Sequence, residues 1–81
     1  MEDEDVLSQI NTLAEEEHTL FQRAGTDDGI SDSEHRRLKE IEVQLDQCWD
    51  LLHQRRARRR AGLDPDEAKV RDPSTVEGYV E

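Results

Sequence analysis

Apolar residues recur early in the chain at alternating steps of four and three: Val6, Ile10, Leu13, Leu20 and Ala24, with Glu17 in the one polar slot. After an acidic interval the same spacing resumes at Leu38, Ile41, Leu45, Cys48 and Leu52. A 3-4 repeat gathers these side chains on one stripe of an α-helix, the seam spacing of coiled coils. The apolar residues then stop, and Arg55, Arg56, Arg58, Arg59 and Arg60 follow. This pattern predicts two helices, over about residues 5–24 and 31–61.

The helix ends are marked in the sequence. Glu2, Asp3, Glu4 and Asp5 put negative charge at the positive end of the first dipole. Gly25 suits the left-handed position that closes a helix, and residues 26–30 read as a turn built on Asp28-Gly29. Ser31 and Glu34 form a capping box at the start of the second helix, and Gly62 ends it. Asp64-Pro65-Asp66-Glu67 predicts a turn or two of helix reaching about Val70. Asp72-Pro73 is expected to break it. The remaining residues form a tail, flexible or docked through Tyr79 and Val80.

An antiparallel hairpin requires facing layers whose positions keep a constant sum. Leu20 with Leu38, Glu17 with Ile41, Leu13 with Leu45, Ile10 with Cys48 and Val6 with Leu52 all satisfy it. Extending the rule sets Asp3 against Arg55 and Glu2 against Arg56, with Arg58, Arg59 and Arg60 on an overhanging end. Further apolar residues flank the seam: Leu7, Ala14 and Phe21 every seven residues on the first helix, Trp49 and Leu51 on the second. Stripes this wide belong to bundle helices. The expected fold is therefore all-α: a coiled-coil-like antiparallel two-helix hairpin (residues 1–61), with a short C-terminal helix and tail (62–81). It is expected to dimerise into a four-helix bundle through Leu7, Phe21, Trp49 and Leu51, with Trp49 as the anchor.

Composition supports self-association. The chain has 81 residues, 32% hydrophobic and 40% charged, which is lean for a self-contained core. Small scaffolds add disulfides, metals or oligomerisation, and Cys48, the only cysteine, can make no internal disulfide. The net charge of −10 is unevenly spread. Residues 1–54 carry 15 acids and 4 bases, residues 55–60 carry five arginines, and residues 61–81 carry 6 acids and 2 bases. An acidic chain is disfavoured for general nucleic-acid binding, which depends on neutralising phosphates. The acidic N-terminus is the wrong sign for a secretory signal, and no apolar run approaches the ~20 residues that span a bilayer. A lone cysteine without an export signal fits the cytoplasm.

Candidate chemistry is sparse. The arginine block could take an acidic protein partner or nucleic acid, against the plainer reading of cations at a negative helix end. No aromatic residue interleaves with the arginines to stack on bases. Glu15/His18, Asp32/His35 and Asp50/His53 have the acid-x-x-His spacing of di-iron bundles. In the heptad frame, however, the first and last pairs point away from the seam, so no metal is expected. Cys48, at a seam position, reads as a small buried apolar residue rather than a nucleophile. Glu17 either selects register or partner, or reaches solvent or an arginine. The acidic turn fails the calcium-loop pattern, because Ala24 and Arg36 would occupy ligand positions. No phosphate-binding glycine loop or catalytic triad is present, and neither an enzyme nor a cofactor is expected.

One long stretch has a further likeness. Leu45-Asp46-Gln47-Cys48-Trp49-Asp50-Leu51-Leu52, then Gln54-Arg55-Arg56-Ala57-Arg58-Arg59, then Gly62-Leu63-Asp64-Pro65-Asp66-Glu67-Ala68 resembles a family of short actinobacterial proteins catalogued as a domain of unknown function. Glu16-Glu17-His18 and Val76-Glu77-Gly78-Tyr79 share the resemblance. It implies a small helical cytoplasmic protein and brings no catalytic residue with it. The expected function is a non-enzymatic protein–protein interaction or structural module, a homodimer with Arg55, Arg56, Arg58, Arg59 and Arg60 facing an acidic partner. The alternative is a nucleic-acid-associated protein using the same arginines.

Overall fold

The computed structural model describes residues 2–26 and 29–77. Helix α1 spans Asp3–Ala24 and α2 spans Asp32–Arg60. A 3-10 turn follows at Pro65–Glu67, and a short helix, α3, at Pro73–Glu77. Helix α1 packs along α2, and both C-terminal pieces pack on α2. Among the described residues no helix is long and apolar enough to cross a membrane.

Helix α1 starts two residues before the expected position, because Glu2 sits outside it in extended backbone and donates its N–H to Asp5 Oδ2 at 3.1 Å. Glu2 was expected against Arg56 but serves this cap instead. Gly25 is not left-handed: at φ −80 it continues the right-handed turn, and its N–H reaches Phe21 O and Gln22 O. The left-handed glycine of the connection is Gly29, at φ 62. Helix α2 begins as the capping box predicts. Ser31 Oγ accepts from Glu34 N, and Ser31 N donates to Glu34 Oε1, both at 3.2 Å. It ends at Gly62, φ 75, with Leu63 N–H returning to Arg58 O and Gly62 N–H to Arg59 O. These two bonds form the Schellman arrangement that a left-handed glycine permits.

The core is the predicted seam. Val6, Ile10, Leu13 and Leu20 meet Leu38, Ile41, Cys48 and Leu52, all buried, and Leu45 is partly buried against them. Glu17 is half-buried within this stripe, and Ala24, expected on it, is exposed.

The C-terminal segment departs most from expectation. The 3-10 turn is capped by Asp64, whose Oδ1 accepts from Asp66 N at 2.9 Å, and it stops at Glu67. It does not continue to Val70, because the chain there is strapped to α2 side chains. Gln54 Nε2 donates to Lys69 O at 2.8 Å, and Gln47 Nε2 to Arg71 O at 3.1 Å. Arg71 forks onto Asp50 at 2.9 and 2.7 Å. Asp72-Pro73 starts a helix rather than ending one. Asp72 Oδ1 accepts from Ser74 N at 2.8 Å, and Pro73 takes the first helical position, where its missing N–H costs nothing. Helix α3 buries Val76. Tyr79 and Val80, the expected docking residues, lie outside the described residues.

Candidate interaction surface

Each helix has two flanks beside the seam, one made by residues that precede a seam position and one by residues that follow it. In an antiparallel pair, like flanks meet. The preceding flank carries Gln9 and Glu16 on α1 with Arg37, Gln44 and Leu51 on α2. It is closed by polar pairing: Arg37 Nη2 donates to Glu16 Oε1 at 2.9 Å. That hydrogen bond holds the Glu16 carboxyl below the usual glutamate range and the Arg37 guanidinium above its own. The flank is also closed by the C-terminal segment. Ala68 packs on the core cluster, and Gln9, Gln44, Gln47, Cys48, Leu51 and Val70 line a small cavity there. Leu51 is consequently only 4% exposed. It was expected at a dimer interface, and the chain's own C-terminal segment takes that place.

The following flank is open. It carries Leu7, Ala14 and Phe21 on α1 with His35, Glu42 and Trp49 on α2. Leu7 is 38% exposed, Trp49 42% and Phe21 53%. Among the described residues no ion pair crosses this flank. Three large apolar side chains on one face exceed the scattered single exposures of an ordinary surface.

The arginine block divides into separate fates. Arg55 continues the seam and is only 3% exposed. Its Nε donates to Asp3 Oδ1 at 2.6 Å, and its Nη1 to Asp66 Oδ1 at 3.0 Å and Pro65 O at 3.2 Å. The Asp3–Arg55 pair is the one the register rule places together. Arg59 also forks onto Asp3. Arg59 and then Arg55 hold the Asp3 carboxyl well below the usual aspartate range. Arg58 donates to Asp64 O at 2.6 Å and to Glu67 Oε2 at 2.7 Å. Arg58 and Arg59, expected on a free overhang, are thus engaged within the chain. Arg56 and Arg60, one turn apart and exposed, meet no acid among the described residues.

The remaining candidates offer no converging chemistry. Cys48 is buried in the seam, and that burial pushes its thiol above the ordinary value. Asp50, the acid of the third acid-x-x-His pair, is occupied by Arg71 and Gln54. Among the described residues no three His, Cys, Asp or Glu side chains gather as metal ligands. The strapping roles of Gln47, Gln54 and Asp50 escaped the sequence reading. Their signal is the seven-residue step from Gln47 to Gln54 on the outer face of α2.

Comparison with known proteins agrees with the resemblance. The family model described as protein of unknown function, DUF2630, matches residues 2–81. An uncharacterized protein of Mycobacterium tuberculosis strain H37Rv is 50% identical over 79 residues, covering 96% of this chain and 90% of its own. An uncharacterized protein of Mycobacterium bovis matches to the same extent. No solved structure matches. The chain belongs to the DUF2630 family of proteins of unknown function.

Proposed function

We propose that this chain is a non-enzymatic protein–protein interaction module of the cytoplasm, working through the open flank of its hairpin. What supports this is asymmetry. One flank is closed by an Arg37–Glu16 pair and the C-terminal segment, while the other leaves Leu7, Phe21 and Trp49 half-exposed. A face that carries a partly exposed tryptophan has the composition of an interface anchor. In extract of its own host, the native chain should elute well above its 9.4 kDa monomer mass, and Trp49→Glu should return it to that mass. Native chain running as a monomer in extract would remove the reading. The nucleic-acid alternative retains only Arg56 and Arg60 without acid partners among the described residues. Two cations on a chain of net charge −10 support a weak, salt-sensitive attachment at most.

A further inference from the structure

We infer that residues 63–77 are a flap that lifts from α2 as one piece about Gly62 while the α1–α2 hairpin stays closed, and that lifting bares Leu51 and the Cys48 thiol. The inference concerns the closed flank and goes beyond the reading of the open one.

The flap has little apolar hold. Among residues 63–77 only Val76 is buried, while Leu63 is 53% and Val70 60% exposed. Beneath Val70 the packing is incomplete: a cavity of about 60 Å³ lies there, lined by Cys48 and Leu51 together with Gln9, Gln44 and Gln47. Among the described residues the 3-10 turn and α3 pack on α2 and not on α1, so their departure leaves the seam between the long helices in place. The start of the flap is a suitable hinge. Gly62 stands at φ 75 with nothing within 4 Å of where a Cβ would be, so its backbone turns without collision. A segment with few buried apolar contacts and exposed backbone hydrogen bonds opens at less than the cost of global unfolding.

The polar anchors on α2 have partners in reserve. Arg55 loses Asp66 and Pro65 O when the flap lifts but keeps Asp3 Oδ1 at 2.6 Å, so its buried charge is not left alone. Gln54 Nε2 loses Lys69 O and keeps Asp50 Oδ2 at 2.9 Å. Asp50 in turn loses the Arg71 fork and keeps that amide. Arg58 and Gln47 lose flap partners, but both are only partly buried and turn to water. Stripping a partner from a buried polar group costs heavily only when nothing replaces it. At the far end, Glu77 brings its carboxyl against that of Asp46, and its buried Oε1 meets no N–H or O–H donor among the described residues. The opposing features are Val76, whose burial is undone by lifting, and the two-bonded fork of Arg71 on Asp50.

The test uses the full chain, whose only thiol is Cys48. Its alkylation by iodoacetamide is followed across urea concentrations below the unfolding midpoint, beside circular dichroism of the helices. The urea slope of an opening scales with the surface it exposes. A lifted flap exposes far less than an unfolded chain, so labelling should rise along a clearly shallower slope than unfolding does. Arg71→Gln removes the fork from the flap side and should label about fivefold faster with its helix content unchanged. Labelling along the slope of global unfolding overturns the flap, because the thiol is then bared only when the hairpin opens. Arg71→Gln labelling at the native rate overturns it too, because the fork then has no part in covering Cys48. A single piece also requires the hydrogen-bonded amides of Ala68 and Val76 to exchange faster by the same factor in Arg71→Gln. A gain at one of them alone overturns lifting as one piece.

Discussion

Five arginines that look alike in sequence differ because one of them lies on the seam. Arg55 occupies the next position of the 3-4 repeat, so its stem packs where Leu52 leads and its guanidinium must find acceptors under cover. It finds three, on Asp3, Pro65 and Asp66, which ties the start of α1 and the C-terminal segment to one side chain. A rigid planar fork with five N–H donors suits such divergent acceptors better than the compact three-donor ammonium of a lysine. Carboxyls show the same dependence on surroundings. Glu77 on α3 stands beside Asp46, and two carboxyls can hydrogen-bond only if one keeps a proton. Its Oε1 is buried and meets no N–H or O–H donor among the described residues. The Asp46 hydrogen bond, then burial, raise the Glu77 carboxyl above the usual glutamate range. A raised carboxyl favours docking of α3 while protonated, and that contribution fades as pH rises through the raised value. Amide exchange over residues 74–77 should therefore quicken from mildly acidic pH toward neutral by more than intrinsic exchange explains. Glu77→Gln should flatten that slope and slow exchange at neutral pH; an unchanged slope would acquit Glu77. Asp3 has the opposite sign, since a lowered carboxyl contributes above the ordinary aspartate range and is lost only in strong acid.

At the scale of elements, caps and glycines divide the work. The two ends of α2 were legible because their chemistry is local: Ser31 with Glu34 at one end, Gly62 at the other. Ser31→Ala should cost about 0.5–2 kcal/mol. Gly62→Ala should cost about 1–2 kcal/mol, from forcing a Cβ into the left-handed region, although nothing lies within 4 Å of the added carbon. Urea denaturation of the two variants measures both, and a Gly62→Ala variant as stable as the native chain would show that the Schellman closure contributes nothing. Gly25 and Asp72-Pro73 were misread for related reasons. Glycine and proline announce a boundary, but a boundary can be crossed in either direction. Asp72-Pro73-Ser74 has the same cap-then-proline form as Asp64-Pro65-Asp66. Only the straps from Gln47 and Gln54 show that the chain between them is held extended along α2, leaving Asp72 free to open a new helix.

At the scale of the molecule, the C-terminal segment turns a symmetric hairpin into one with a closed flank and an open one. A chain ending at Gly62 would uncover Leu51 and remove Asp66 from Arg55. Losing the burial of one leucine costs about 1.5–3 kcal/mol, and thermal unfolding of that truncation should show at least this loss. A truncation as stable as the full chain would mean that the segment does not hold the hairpin. The antiparallel pairing of α1 and α2 was determined by the sequence, because a seam of period 3-4 and a turn of fixed length admit one register. That register alone places Asp3 at Arg55. Which flank is open was decided by tertiary structure alone. Leu51 and Trp49 sit on either side of the same seam, two residues apart and both apolar, and nothing local distinguishes them. The distinction comes from side-chain amides and an aspartate on α2 that capture backbone carbonyls and an arginine fifteen or more residues away. Long-range polar capture of this kind has no period, so a pattern of hydrophobic spacing cannot carry it.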